Sequence, residues 1–334
     1  MNNTAFALDV LLQLVDSIYL DFAKAFDRVD HRALMSVLCN LGFGEPVLSW
    51  FSSYLSERRQ VVKINDFCSS PTSVTSGVPQ GGHLSPVLFA LFVNGIKDVI
   101  QHSELLLFAD DIKLFLRICT TDDCKLLQHD LDSVSHWAQG FGLELSIPKG
   151  HTMTYTRSNE RVLFTYTIND IALKQPGDSV IDLGITFDRS LTFRTHIENV
   201  TCKALKLLGF VKRISAEFKL SSSLKTLYYS FVRSVMEFGV IIWDLCTLDG
   251  SKQLEKVQRK FLKFAAFSLR MNVNPMSTNL YYSASICLPY VTGGNRYSFP
   301  FQIPVGRCNY LVNHPIVRMT KLANEDPLFL NAWQ

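Results

Sequence analysis

The sequence predicts a mixed α+β fold, with a core of roughly 190 residues followed by a basic helical domain. Three observations carry this expectation. Short apolar runs with strand character recur through the first half at unequal intervals, with no regular crossover helices between them. That argues against a TIM barrel or a doubly wound sheet. From 192 to 270 the pattern changes to helical segments. The charge changes with it: residues 1–113 carry 8 Lys/Arg against 12 Asp/Glu, whereas residues 201–275 carry 13 against 5. Boundaries are placed near 190 and 271, giving 1–190, 191–270 and a tail 271–334 whose Asn, Pro and Ser content rises.

Taken in order, LVDSIYLDF (14–22) has the apolar and aromatic content of a buried strand and stops at an acid. Residues 30–40 are helix-like and end near Gly42, and Pro46 suits the first turn of a helix through VLSWFSSYL. RQVVKIN (59–65) reads as a short strand, SVTSGVPQGGHLSP (73–86) as a Gly/Pro/Ser-rich turn, and 87–100 as a mostly buried helix. In LLLFADDIKLFL (105–116) two apolar runs flank an Asp pair, as in a β-hairpin with acids at its turn. Residues 122–140 form an amphipathic helix; TMTYT, VLFTYTI and DLGITFD (182–188) are strand-like. Three helical segments then follow, broken near Phe218 and Asp249.

Composition excludes several classes. The chain has 334 residues, 47% hydrophobic and 19% charged, with 17 Gly and 12 Pro, which rules out wholesale disorder and collagen. Its 8 cysteines include no CxxC pair, so reduced thiols are expected rather than a zinc or disulfide framework. No apolar run approaches the roughly 20 residues that span a bilayer. The first residues lack a basic n-region and a cleavage site, so neither a membrane partner nor secretion is expected. The net charge of +3 conceals an acidic first half and a basic helical block, an arrangement suited to a metal-using core beside a polyanion-binding element.

Asp21, Asp110 and Asp111 each stand where an apolar strand meets a turn. Carboxylates at neighbouring strand ends can hold two Mg²⁺ ions about 4 Å apart and support phosphoryl transfer. Ordinary turn and cap aspartates would look the same, and spacing alone leaves both readings open. His129, Asp132 and His136 share a helix face but lack an HExxH pattern and are read as an exposed polar face. No GxSxG elbow supports serine hydrolysis.

DFAKAFDRVDH (21–31), GVPQGGHLSPVLFALFVNGI (77–96), FADD (108–111) and GLELSIPKG (142–150) resemble, in order, motifs A to D of reverse transcriptases. The resemblance is to the polymerases of non-LTR (LINE-type) retrotransposons. DLGITFDRSLTFRTHI (182–197), LYYSFVRSVMEFGVIIWD (227–244) and VNHPIVRMTKLANE (312–325) are similar to later blocks of the same proteins. It implies a right-hand polymerase: a palm with an antiparallel sheet and partial fingers, followed by a helical thumb. The implied activity is RNA-directed DNA synthesis from a primer 3′-hydroxyl, with two Mg²⁺ ions, or Mn²⁺ in their place. Asp21, Asp110 and Asp111, with the Phe22 carbonyl, would hold the ions, and Lys149 would serve the leaving pyrophosphate. Phe26 would bar a 2′-hydroxyl, while Asp27 beside it would be a structural contact. Gln80, Gly81 and Gly82, with Gly77 and Pro79, would form the nucleotide-contacting loop. In the basic block, Lys203, Lys206, Lys212, Arg213 and Lys219, with Lys256, Arg259, Lys260 and Lys263, would track duplex phosphates.

The implied partners are an RNA template, a DNA primer and target, and deoxynucleoside triphosphates, in the nucleus and cytoplasm. The D segment departs from the family: Ser146 stands where Asn is usual and Gly150 where Thr or Cys is usual, and Asn94-Gly95 replaces Asn-Asp. Only 20 residues precede Asp21. The expectation is therefore a chain that begins inside the fingers, binds primer–template and extends it poorly. A catalytically inactive nucleic-acid-binding remnant is the alternative, with a group II intron maturase-like protein behind it.

Overall fold

The computed structural model describes residues 14–157, 162–215, 221–243 and 248–268, and its contacts divide the chain into two units, Met1–Val180 and Ile181–Gln334. The tail expected from 271 onwards, and Lys219, lie outside the described residues.

The first unit opens with β1 (Val15–Asp21), a short 3₁₀ turn (Ala25–Asp27), and helices α1 (His31–Asn40) and α2 (Val47–Leu55). Asp30 caps α1 by accepting from the Ala33 N–H at 2.8 Å. An arm follows, made of β2 (Arg59–Gln60), β3 (Lys63–Ile64), β4 (Phe67–Cys68) and β5 (Thr72–Ser73). The single strand expected over 59–65 is thus two short pieces, β2 pairing β5 and β3 pairing β4, with every residue of the four exposed. Among the described residues the four strands bury no side chain, so no packed face keeps the ladder continuous.

Helix α3 (Ser85–Val93) runs into a 3₁₀ segment (Asn94–Val99), then β6 (Glu104–Phe108) and β7 (Asp111–Arg117) form the expected hairpin. Helix α4 (Thr121–Gly140) starts with a capping box, in which Asp123 accepts from the N–H groups of Cys119 and Thr120. Those bonds, from Cys119 first and Thr120 next, hold the Asp123 carboxyl below the usual range. Strands β8 (His151–Tyr155), β9 (Thr167–Ile168) and β10 (Ile171–Ala172) complete the unit, and β11 (Ser179–Asp182) runs across its boundary. Of VLFTYTI only the last two residues join a ladder.

The main sheet has the order β6-β7-β1-β8, all antiparallel. Central β1 is buried from Val15 to Leu20, Asp16 and Ser17 included, so its Ile18–Leu20 apolar run is continued inward by two buried polar residues. Ile18, Leu20 and Phe22 enter a core with Leu34, Phe89, Phe92, Leu127 and Leu131 from three helices. Asp16 is also buried, accepting from the Thr154 and Tyr166 hydroxyls at 2.7 Å each. Burial pushes its carboxyl above the ordinary value, and the two hydroxyls only partly offset this. The folded state therefore binds this proton more tightly than the unfolded chain. The Asp16 contribution is favourable below about pH 4, the unfolded value, and is lost as pH rises through the folded pKa. Asp16→Asn removes that dependence. Urea titrations of both proteins between pH 4 and 8 should show wild type gaining on the variant as pH falls; a constant difference would contradict the assignment.

The second unit contains β12 (Ile185–Asp188), α5 (Arg194–Ile214), α6 (Ser221–Leu227), a π-helical turn (Tyr228–Arg233), α7 (Ser234–Glu237), α8 (Val240–Trp243) and α9 (Leu248–Ser268). DLGITFD is not one strand: Leu183 and Gly184 both have positive φ and form the turn between β11 and β12. Buried Ile197, Val200, Ala204, Leu208 and Val211 form the inner stripe of α5, and Leu254, Val257, Phe261 and Ala265 that of α9. Tyr228 stacks on Phe261 with ring centroids 4.1 Å apart.

Candidate active site

Asp21 ends β1 directly opposite Asp111, the first residue of β7. The Asp21 carbonyl is turned the other way, accepting from the Ser146 N–H at 2.7 Å. Asp21 and Asp111 are therefore a non-hydrogen-bonded pair, the closer kind, with Cα atoms about 4.5 Å apart and side chains on one face. Asp110 precedes Asp111 in a two-residue turn whose first position, Ala109, has φ 52°. Phe22 bridges Leu145, flanked by the Ala23 N–H to Glu144 carbonyl bond and the Ser146 bond. That pattern points the Phe22 carbonyl away from Leu145, to the β7 side where Asp110 lies.

Lys149 sits in a tight turn, its N–H bonded to the Ser146 carbonyl at 3.1 Å, and its ammonium pairs with the Asp21 carboxylate. The Asp21 hydrogen bond and charge raise the Lys149 pKa, with Asp110 and Asp111 adding to the field. His151 donates through Nδ1 to the Lys149 carbonyl at 2.9 Å and stacks on Tyr19, centroids 4.9 Å apart. The second Asp21 oxygen, Oδ1, is buried without a hydrogen-bond partner. An all-oxygen set with one orphaned, buried carboxylate oxygen fits a hard divalent cation. Among the described residues, however, the group whose ligand atoms all lie within 4.8 Å of one another is His102, His129 and Asp130, a set able to hold a metal ion. His129 and His136, with Asp132, are exposed on α4, as the sequence suggested.

The glycine-rich loop lies on the A segment. Gly77 donates to the Val29 carbonyl and Val78 to that of Phe26, each at 2.8 Å. The Arg58 guanidinium and the His31 Nε2–H donate to the Gly77 carbonyl at 3.1 and 2.9 Å. The Gln80 amide donates to Asp27 Oδ1 at 2.9 Å, and Ser76 Oγ to the Asp27 carbonyl. Asp27 is therefore bound up in holding this loop. Gly81 has open space around it, whereas a Cβ on Gly82 would meet the Tyr54 hydroxyl at 2.9 Å. Phe26 is half-buried and stacks on Phe89, centroids 4.7 Å apart.

In the second unit Lys203, Lys206, Arg213, Lys256, Arg259, Lys260 and Lys263 are exposed. Lys212 lies 5.5 Å from the Phe264 ring centroid, and Arg259 pairs with Glu255 at 2.8 Å. Sequence reasoning missed the His151 clamp, the Gln80–Asp27 bond and the pairing of His102 with Asp130. Each joins segments whose proximity no local spacing announces.

An open antiparallel sheet with helices, followed by a helical region, is the architecture of a polymerase palm and thumb. The chain belongs to the reverse transcriptase (RNA-dependent DNA polymerase) family, which matches residues 17–211. It is 29% identical over 252 residues to a probable RNA-directed DNA polymerase from transposon X-element of Drosophila melanogaster, covering 73% of this chain and 27% of that protein. To the RNA-directed DNA polymerase from mobile element jockey of Drosophila funebris it is 26% identical over 270 residues, covering 77% and 29%. The chain thus spans under a third of the length of these relatives. Among solved structures, telomerase from Candida albicans in complex with a fragment of telomeric RNA is similar at 11% identity and a TM-score of 0.41, over 85% of this chain and 51% of that one. Among the described residues no helix is long and apolar enough to cross a membrane.

Proposed function

We propose that this chain carries the polymerising centre of a non-LTR retrotransposon reverse transcriptase, joining deoxynucleotides to a DNA primer's 3′-hydroxyl on an RNA template. The observation that carries the reading is the Asp21–Asp111 pair, with Asp110 beside it and Asp21 Oδ1 left without a donor. Asp21, Asp110, Asp111 and the Phe22 carbonyl are the groups that would hold Mg²⁺, or Mn²⁺. Bound there, two such ions supply an activated primer oxygen and charge neutralisation on the phosphates.

The chain's own groups do the rest. The Lys149 ammonium, on its clamped turn, moves from Asp21 to give its charge or a proton to the leaving pyrophosphate. The loop at Gly81 and Gly82 lets backbone approach the nucleotide closely, and Gln80 meets it through an amide that donates and accepts. Phe26, braced by Phe89, occupies the space of a 2′-hydroxyl. The cations from Lys203 to Arg213 and from Lys256 to Lys263 hold duplex phosphates and fix register without reading sequence.

Primer extension on an RNA template with Mg²⁺ tests the reading, run with deoxynucleotides and ribonucleotides in parallel. Phe26→Ala should raise ribonucleotide use relative to deoxynucleotide about tenfold or more, since relieving such a clash is worth roughly 1–3 kcal/mol. An unchanged ratio would reduce Phe26 to a packing residue. Duplex binding without template-directed extension would instead favour the inactive nucleic-acid-binding remnant.

A further inference from the structure

We propose that His102, His129 and Asp130 form a second metal site, for a single zinc-type transition-metal ion. Asp130 is a fully buried carboxylate on α4 that fastens the loop leading into β6. Its two oxygens are used unequally. Oδ2 accepts from the His102 N–H at 2.9 Å, the Ser103 N–H at 2.6 Å and the Ser103 hydroxyl at 2.8 Å. Among the described residues Oδ1 accepts a single long bond, 3.2 Å, from the Gln101 N–H. It faces the His129 imidazole, with Nδ1 at 3.7 Å, and the His102 and His129 rings meet edge-on with centroids 5.7 Å apart. The His129 imidazole thus faces the carboxylate oxygen that has lone-pair capacity to spare, and the ligand atoms of His102, His129 and Asp130 all lie within 4.8 Å of one another.

The chemistry of the set selects the ion. Imidazole and carboxylate ligands suit zinc and its first-row neighbours, whereas Mg²⁺ and Ca²⁺ prefer oxygens alone and Cu(I) prefers sulfur. Three protein ligands with a water in the fourth position is a familiar zinc arrangement. Ligand atoms around a tetrahedral ion stand roughly 3.3 Å apart at bond lengths near 2.0 Å. The present spread, up to 4.8 Å, closes by turning the two histidines, both exposed and therefore free to rotate. Asp130 need not move, because the loop N–H groups orient it as outer-shell donors orient a ligating carboxylate. Burial pushes the Asp130 carboxyl up, but the bonds from Ser103, His102 and Gln101 together outweigh it and hold the carboxyl below its ordinary range.

The ion would tie the loop before β6 to α4, fastening the hairpin at the end opposite Asp110. Ser103 and Asp110 are separated by the length of β6, roughly 20 Å, so the two sites are independent. The test is a calorimetric titration of the EDTA-treated, reduced chain with Zn²⁺, repeated with Co²⁺ while its visible spectrum is recorded. One high-affinity ion is expected in wild type, weakened at least about tenfold by His102→Ala and by His129→Ala and unchanged by Asp110→Asn. Zinc should also raise the melting temperature of wild type and not of the histidine variants. Both histidines are exposed, so neither variant should endanger folding. Absence of binding, binding indifferent to both substitutions, or a sulfur-to-cobalt charge-transfer band pointing to the exposed Cys39, Cys68, Cys119 or Cys202 would overturn the proposal.

Discussion

Asp110→Asn should lower template-directed extension by roughly a hundredfold or more while leaving the fold and duplex binding intact. The carboxylate stands in a two-residue hairpin turn, beside the Asp21–Asp111 pair and on the side of the Phe22 carbonyl. Asn keeps its shape but removes the negative charge that a divalent cation needs, a loss of about 3 kcal/mol or more in transition-state stabilisation. Asp27→Asn provides the contrast. Asp27 is the neighbouring acid of the A segment, but its carboxylate accepts from Gln80. An Asn there still offers a carbonyl oxygen, so its effect should be several-fold at most. Extension rates measured at saturating primer–template, beside binding titrations, separate the two. Equal losses in both variants, or full activity in Asp110→Asn, would refute the assignment of Asp110.

Gly77→Ala should cost roughly 2–5 kcal/mol of stability, far more than the same change at Gly81. Both glycines have φ near +80°, so both substitutions carry the left-handed penalty of about 1–2 kcal/mol. Only at Gly77 would the new methyl also meet backbone, 2.7 Å from the Asp27 Cα and the Phe26 carbonyl oxygen and 2.8 Å from the Asp27 carbonyl oxygen. Backbone cannot turn aside as a side chain can, so overpacking adds about 1–3 kcal/mol. A Cβ on Gly81 would meet no described residue beyond its chain neighbours within 4 Å. Urea midpoints of the two variants, with m values checked for constancy, measure the difference. Similar losses at both positions would mean that the loop does not rest on the A segment as described. Because Gln80 reaches Asp27 from the same loop, Gly77→Ala should also loosen the proposed nucleotide contact.

Much of the fold was legible because it is local. The apolar run of β1, the hairpin around Asp110–Asp111 and the 3–4 residue stripes of α5 and α9 are properties of neighbouring residues, and any compact solution must bury them. Strand ends at Asp21 and at Asp111 could be read for the same reason. The misread segments fail informatively. DLGITFD looks continuous until Leu183 and Gly184 adopt positive φ, and RQVVKIN has strand composition without a neighbour to hold it flat. VLFTYTI contributes to a ladder only where β10 reaches it.

The amino-acid sequence by itself determined the α+β class and the family, through motifs A to D and the later blocks in fixed succession. Only the tertiary structure decided which residues stand opposite one another. A strand's pattern says which face is buried but not which partner supplies the register, so the Asp21–Asp111 pairing depends on β7 lying beside β1. The same holds for the ammonium of Lys149 on Asp21, 128 residues away, and for the loop at His102 fastened to Asp130. These contacts arise from packing of distant segments around one core, and local periodicity carries no record of them.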